Sequence, residues 1–583
     1  MKTNKNSKKL TLAMVALLAL SVSCSDEFLE IAPTGSLADA QVGTSEGLDG
    51  LLIGAYSMIN GRLNVGNERG GAPNHWLVGS ILGGDANKGT DPGDGASLAT
   101  FQRFQADATF AEVNVLWQSR YEGVSRCNTV LSTVANNSES LPADKVTEIS
   151  AQARMLRGHF YFDLKKNFNN IVVFDETVLP TDIVLLANDG DAWAMIEADF
   201  QYAYDNLPET TDAGRVNKWA AASYMAKAKL YQKKYAEAKT WFDDVIANGV
   251  AWNGEKYALL DDYSKVFNAA FDNHVEAIMD VESSNETGSV TNANWFDDLN
   301  YPYLTGNEGP GDCCGFFQPS FELANSFRTG ADGLPLLDKS YNDPANEVVN
   351  DMDVASTEPF TPDAGPLDPR IDFSIGRRDI PYLGWKPHPG QAWIRVQAYG
   401  GPYSPKKFVY YADQEGTLTD ASSWTRGYAT MNYPIIRFAD VLLMAAEAEI
   451  EAGTLENART YVNMVRARAA KSEFWIKNED GSDAANYVIE EYPAAQFASK
   501  ESATEAVRFE RKLELSGEGH RFFDLVRWGV AAEEINAYLD YEVQKLTQAY
   551  SGARFTAGKD EYRAIPQTQL DLQPGVLQQN PGY

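Results

Sequence analysis

Cysteine, histidine and basic side chains are all scarce in this 583-residue chain, and each scarcity removes a class of protein. The four cysteines, Cys24, Cys127, Cys313 and Cys314, are too few for a disulfide scaffold. Cys313 and Cys314 are adjacent, and neighbours in sequence seldom bridge because the link strains the peptide between them. The five histidines, His75, His159, His274, His388 and His520, fall at no metal-ligand spacing. That argues against a catalytic zinc, and no cofactor is indicated. Lysine and arginine number 50 against 81 aspartates and glutamates. The formal charge of −31 repels phosphate backbones, so nucleic acid is not an expected partner, and polyanionic ligands are disfavoured too. Past the first 23 residues, no segment is uniformly apolar for the roughly 20 residues that a membrane-spanning helix needs.

What the chain does have, at its start, is Lys2, Lys5, Lys8 and Lys9, an apolar run over 10–20, and Ser21-Val22-Ser23 leading into Cys24. This is the pattern of a signal peptide over 1–23. Small residues before a cysteine resemble the cleavage box of bacterial lipoproteins, in which the cysteine is acylated and becomes the first residue. Ser25-Asp26-Glu27 resembles the surface-export signal of lipoproteins in the Bacteroidetes. The expectation is a lipidated Cys24 with a leader over 24–33, held by outer-membrane lipid through several acyl chains. With Cys24 so used, the other cysteines are odd in number.

No linker rich in proline, serine or charge divides the remainder, which predicts one body with intertwined halves, 34–284 and 285–583. Helical periodicity is clear in a segment capped by Thr44 or Ser45 and in 110–134, 144–167, 192–206, 218–233, 235–247, 439–452, 455–469 and 502–515. Alanines stand ten residues apart at Ala228 and Ala238, and again at Ala448 and Ala458, each pair across a predicted helix–helix turn. That resembles a tetratricopeptide unit, in which small residues let two antiparallel helices approach. Between the helical ends, 285–432 is rich in Gly, Pro, Asp and aromatic residues without a sustained period. Loops on a rigid scaffold are where binding groups usually sit.

Several segments then line up, in order, with one family. Tyr433-Pro-Ile-Ile-Arg-Phe-Ala-Asp440, Tyr461-Val-Asn-Met-Val-Arg-Ala-Arg468, the block from Glu510 to Gly529 and the closing Gln579-Asn-Pro-Gly-Tyr583 resemble the SusD/RagB family of nutrient-binding outer-membrane lipoproteins. So do Trp117-Gln-Ser-Arg-Tyr121, Arg154-Met-Leu-Arg-Gly-His159 and Gly214-Arg-Val-Asn-Lys218 in the N-terminal half. The resemblance implies a mainly α fold, with tetratricopeptide-type helix pairs on one side and an irregular, loop-rich ligand-binding region on the other. It also implies a non-enzymatic role: capturing an oligosaccharide or polysaccharide at the cell surface and presenting it to a SusC-like TonB-dependent transporter.

For a sugar ligand the expected chemistry is stacking of apolar side-chain faces on sugar rings, with polar groups holding the hydroxyls. The candidates are Trp76 with Asp85 in the Gly-rich stretch after the first helix, Trp295, the Cys313-Cys314-Gly-Phe316 turn, Trp385, Trp393, Arg395 and Tyr403. Arg377 and Arg378 are alternative donors.

Two other classes remain open from sequence, a tetratricopeptide scaffold for proteins and a surface-anchored glycoside hydrolase. The charged cluster Glu510, Arg511, Glu514, Glu518, His520, Arg521, Asp524 and Arg527 reads better as ion pairs three and four residues apart along a helix than as acid–base machinery, and so do Arg437, Asp440 and Glu447. Gly43-Thr-Ser-Glu-Gly47 matches a nucleophile pattern but lacks the preceding strand. The stretch from Asp85 to Asp94 begins like a calcium loop but lacks its sixth-position glycine and twelfth-position glutamate.

Overall fold

Thr44 accepts a hydrogen bond from the Gly47 amide at 3.1 Å and opens the first helix, α1 (Ser45–Tyr56), which buries Leu48, Leu52 and Ala55. The computed structural model describes residues 42–63, 69–285, 287, 292–420 and 426–583. The expected signal peptide, Cys24 and its leader lie outside the described residues. Beyond α1 the longer helices are α2 (Ala111–Asn137), α3 (Ala143–Phe168), α4 (Ala192–Asn206), α5 (Lys218–Tyr231), α6 (Tyr235–Asn248), α7 (Phe438–Ala452), α8 (Leu455–Ala469), α9 (Lys500–Glu514), α10 (Arg521–Trp528) and α11 (Ala531–Lys545). Asp191, Asn217, Thr454 and Ser499 cap α4, α5, α8 and α9 through their side-chain oxygens.

Helices α2 to α6 pack each on the next, and α6 packs directly on α7, which pairs with α8 and α9. The stack therefore runs on across the chain's long irregular middle. Ala228, Ala238, Ala448 and Ala458 are fully buried at the two turns, as their spacing predicts. Close approach recurs at Gly158 in α3, where an added Cβ would lie 2.6 Å from the Phe200 ring of α4. The mainly α, paired-helix architecture expected from sequence is the one observed. No helix among the described residues is long and apolar enough to cross a membrane.

Three short antiparallel ladders lie in and around the irregular middle. Strand β1 (Ala86–Gly89) pairs with β3 (Phe316–Pro319), β2 (Ala277–Val281) with β6 (Tyr433–Arg437), and β4 (Ile375–Gly376) with β5 (Ser404–Pro405).

Beneath them lies a buried network of charges. Arg437, at the end of β6, pairs with Glu518 (2.8 Å), Glu276 (2.7 Å) and Glu514 (2.6 Å). Glu514 also receives Arg468 of α8 (2.5 Å) and Arg370 of the irregular middle (3.1 Å). Arg370 and Arg466 share Glu510, and Lys407 reaches Glu518 at 2.7 Å. Burial alone would raise the Glu514 pKa, but Arg468, Arg437 and Arg370 hold it far below the usual carboxylate range. Asp440 pairs with Arg511 and Lys227, and Glu447 with Arg527. The expectation of ion pairs along one helix is thus corrected: of this cluster only Asp524–Arg527 is such a pair, while Arg511–Asp524 joins two successive helices and the pairs of Glu510, Glu514 and Glu518 reach elements distant in sequence. The reason is burial, since a charge without water needs partners on every side.

A second correction concerns Cys313 and Cys314, which are joined in a disulfide across a cis peptide. Cys127 is free and buried in α2.

Glu542 of α11 supports the ladder that carries this turn. Its Oε1 accepts the Glu322 amide at 2.8 Å at the start of the short helix that follows β3, while Oε2 is buried without a partner. Burial raises its pKa to about 8, so the folded protein holds the neutral acid. That contribution to stability is complete below the unfolded value near 4.5 and is lost as pH rises through 8. Glu542→Gln mimics the neutral form. In urea unfolding, the wild type should lose stability relative to this variant by up to ~1.4 kcal/mol per pH unit between these limits. Parallel pH profiles would contradict the assignment.

Candidate functional site

Segments 88–95, 303–316 and 385–395, together with Arg426, meet at one surface on the irregular side of the protein. The β1–β3 ladder sets Gly89 opposite Phe316, and the Thr90 amide donates to the Gly315 carbonyl at 2.5 Å. Asn87 and Gln318, neighbours on the ladder, bond the carbonyls of Gly400 and Tyr403 and so fasten it to the following loops.

Lys88 is buried beneath the surface. Its Nζ donates to the carbonyls of Asp91 (2.7 Å) and Asp94 (2.6 Å) and lies over the Tyr399 ring at 4.9 Å. Burial lowers its pKa to about 8, against the pull of Asp94 and Asp91. The loop it supports presents both carboxylates to Arg395, which meets Asp94 at 2.5 Å, Asp91 at 2.7 Å and Thr90 Oγ1 at 2.8 Å. The Asp91 carboxyl is held below the usual range, chiefly by the Asp94 amide. Arg395 lies over the Tyr303 ring at 5.2 Å, and the Tyr303 amide donates to the Trp393 carbonyl at 2.8 Å.

From Tyr303 the chain turns outward through Leu304, which is 61 % exposed, and returns to the Cys313–Cys314 disulfide. Arg426 braces this loop. It pairs with Asp312 (3.0 Å) and Glu415 (2.5 Å) and donates to the carbonyls of Gly306, Gly309 and Gly311. Lys386 pairs with Glu308 and lies 5.8 Å from the Trp393 ring. Beneath the rim, aromatic rings make a floor: Trp385 on Tyr410 (6.2 Å), Tyr410 on Tyr301 (5.7 Å), and Tyr382 and His388 on Trp393 (5.6 and 5.3 Å).

The sequence candidates therefore separate. Half-buried Trp385, Cys313 and Arg395 belong to this surface, with Cys314 just beneath it. Trp393 and Phe316 lie under it and support it. Trp76 is 1 % exposed against Phe317, Trp295 is buried under Arg62, and Tyr403 is buried against Phe321, so none of these three shows a ring face to solvent. Asp85 is buried too; desolvation raises its pKa to about 6, and it accepts the Gly517 amide at 3.1 Å. Arg377 pairs with buried Asp372, and Arg378 donates to loop carbonyls. Leu304 and Arg426 were not among the sequence candidates. Arg426 stands far from its loop partners in sequence and carries no local signal.

Chemically, the surface combines half-buried apolar facets with a rim of fixed hydrogen-bond donors and acceptors. It lacks the features of an acid–base site. Asp91, with its lowered pKa, is a poor proton donor, and Asp85, Asp272 and Asp297, three of the carboxyls that burial raises toward neutrality, lie outside it. Among the described residues, no group of three or more His, Cys, Asp or Glu side chains is arranged to hold a metal ion.

Two family profiles match the chain, one described as "SusD family" over residues 275–583 and one as "Starch-binding associating with outer membrane" over residues 90–230. SusD-like protein P25 of Formosa agariphila is 24% identical over 543 residues, 89% of this chain and 90% of that protein. A SusD superfamily protein from Bacteroides vulgatus has a similar structure, with a TM-score of 0.67 at 19% identity over 93% of this chain and 99% of that one. Surface glycan-binding protein A from Bacteroides thetaiotaomicron, solved in complex with laminarihexaose, gives a TM-score of 0.62 at 19% identity over 92% and 99%. At such identities the structural likeness speaks for the fold.

Arg426→Ala removes the brace from the 304–313 loop while leaving the aromatic floor in place. Amide hydrogen exchange at 306–311 should accelerate by about tenfold or more with little change in the global unfolding midpoint. Unchanged exchange would show that the floor alone holds the loop.

Proposed function

The chain belongs to the SusD family, and on that premise we propose that it is a cell-surface glycan-binding lipoprotein, anchored through Cys24, that passes captured oligosaccharide or polysaccharide to a partner TonB-dependent transporter in the outer membrane. The observation that carries the binding half is the loop surface itself. Trp385, Leu304 and the Cys313–Cys314 disulfide offer apolar facets of the kind that stack on sugar rings, beside guanidinium and carboxylate groups that donate to and accept from hydroxyls. The fold likeness to a protein bound to laminarihexaose supports the same reading. The lipoprotein start and the family's association with the outer membrane support the location.

Binding without turnover separates this reading from a surface hydrolase. Affinity electrophoresis in gels containing candidate polysaccharides should retard the protein, with no reducing ends released. Trp385→Ala should weaken retardation about tenfold, the equivalent of ~1.4 kcal/mol. Trp252→Ala, at an exposed tryptophan outside the surface, should leave it unchanged. Release of reducing ends by the purified protein would overturn the reading.

The anchor has its own test. Cys24→Ala should leave the affinity of the isolated protein unaltered and abolish retention at the cell surface in fractionation and protease shaving. Surface retention of that variant would remove Cys24 as the tether.

A further inference from the structure

The charge arrangement of the loop surface bears on which glycans it accepts, an inference that rests on the glycan-binding reading above. Among the described residues three cations stand at the rim, and each is already engaged. Arg395 is held between Asp91 and Asp94, Arg426 between Asp312 and Glu415, and Lys386 by Glu308. Lys88 is turned inward and fully buried under the loop, its ammonium on two carbonyls. Five carboxylates thus face three rim cations.

An anionic sugar needs a cation whose charge is not already spent, because its sulfate or carboxylate loses hydration on binding and must be repaid by charge-assisted hydrogen bonds. Here such a group would meet guanidinium planes already occupied by carboxylates and would sit among like charges, inside the field of a chain with net charge −31. A hydroxyl meets no such barrier. It donates to the outer lone pairs of Asp91, Asp94 or Asp312 and accepts from guanidinium N–H groups without displacing a pair.

We infer that this surface selects uncharged glycans and rejects sulfated or uronate-bearing ones, with the carboxylates paired to Arg395 as the excluding groups. Selectivity is then set by Asp91 and Asp94, and the apolar facets supply the grip.

The test compares neutral polymers, including starch, laminarin and galactomannan, with alginate, polygalacturonate and carrageenan in affinity gels at low and high salt. Any neutral polymer that retards the protein is also compared with its own carboxymethylated and sulfated derivatives. Expected is retardation by at least one neutral polymer, loss of at least tenfold on derivatisation, and little response to salt. The double substitution Asp91→Asn with Asp94→Asn frees the Arg395 guanidinium. It should raise the ratio of acidic-derivative to neutral binding at least tenfold at low salt, the gain vanishing at high salt. Retardation of the wild type by an acidic polymer in preference to neutral ones overturns this inference and leaves the glycan-binding reading standing. An unchanged ratio in the double variant overturns the role given to Asp91 and Asp94. Absence of retardation by every polymer overturns the glycan-binding reading itself.

Discussion

The buried meeting of Arg437, Arg370, Arg466 and Arg468 with Glu276, Glu510, Glu514 and Glu518 is the constraint on which the rest of the protein depends. Its members come from the residue before β2, from β6, α8, α9, the turn after α9 and the irregular middle. Each element is therefore fixed by the same charges. Stripped of water, one unpaired member costs about 3–5 kcal/mol, so the elements assemble together or not at all. A guanidinium held between three carboxylates adds a directional constraint to the packing of the helices. Arg370 and Lys407 carry this precision from the helical stack into the loops, because both lie in the segment that also contains the β4–β5 ladder and the 385–395 turn.

From that base the loop surface is built by smaller devices of the same kind. Lys88 holds the 91–94 loop by its carbonyls, Arg426 holds the 306–311 loop by its carbonyls, and aromatic rings fill the space beneath. Loops rich in glycine and aspartate have little core of their own, and cations placed behind them supply the missing rigidity. The same cations are thereby neutralised toward solvent. A surface stiffened in this way is suited to ligands that offer hydroxyls and flat apolar faces.

Much of the scaffold was legible in the sequence because helices write a local code. Thr44, one of the two caps offered for the first helix, stands at its start, the spans 192–206 and 455–469 follow from periodicity to the residue, and buried Ala228, Ala238, Ala448 and Ala458 mark the two turns. Helices α10 and α11 were not delimited. The Glu510–Arg527 block read as ion pairs along one helix, because sequence spacing cannot tell a charge paired on its own helix from a buried one whose partner lies far away in the chain. Tryptophans suffered the same ambiguity. Trp76, Trp295, Trp385 and Trp393 all lie in irregular, Gly-rich sequence, yet only Trp385 is half exposed. Arg395 was legible as a donor, but its two carboxylates were not, as they come from a loop three hundred residues earlier. The disulfide at Cys313–Cys314 ran against the general rule for neighbours.

On the proposed function, a helical stack that buries its charges and a loop surface that neutralises its own hold a sugar chain without acting on it. Hydrogen–deuterium exchange in the presence and absence of a saturating polysaccharide tests that claim most directly. The account predicts protection at 90–95, 303–313 and 385–395, with helices α5 to α8 unchanged. Protection confined to the helix stack, with these loops exchanging as before, would contradict it.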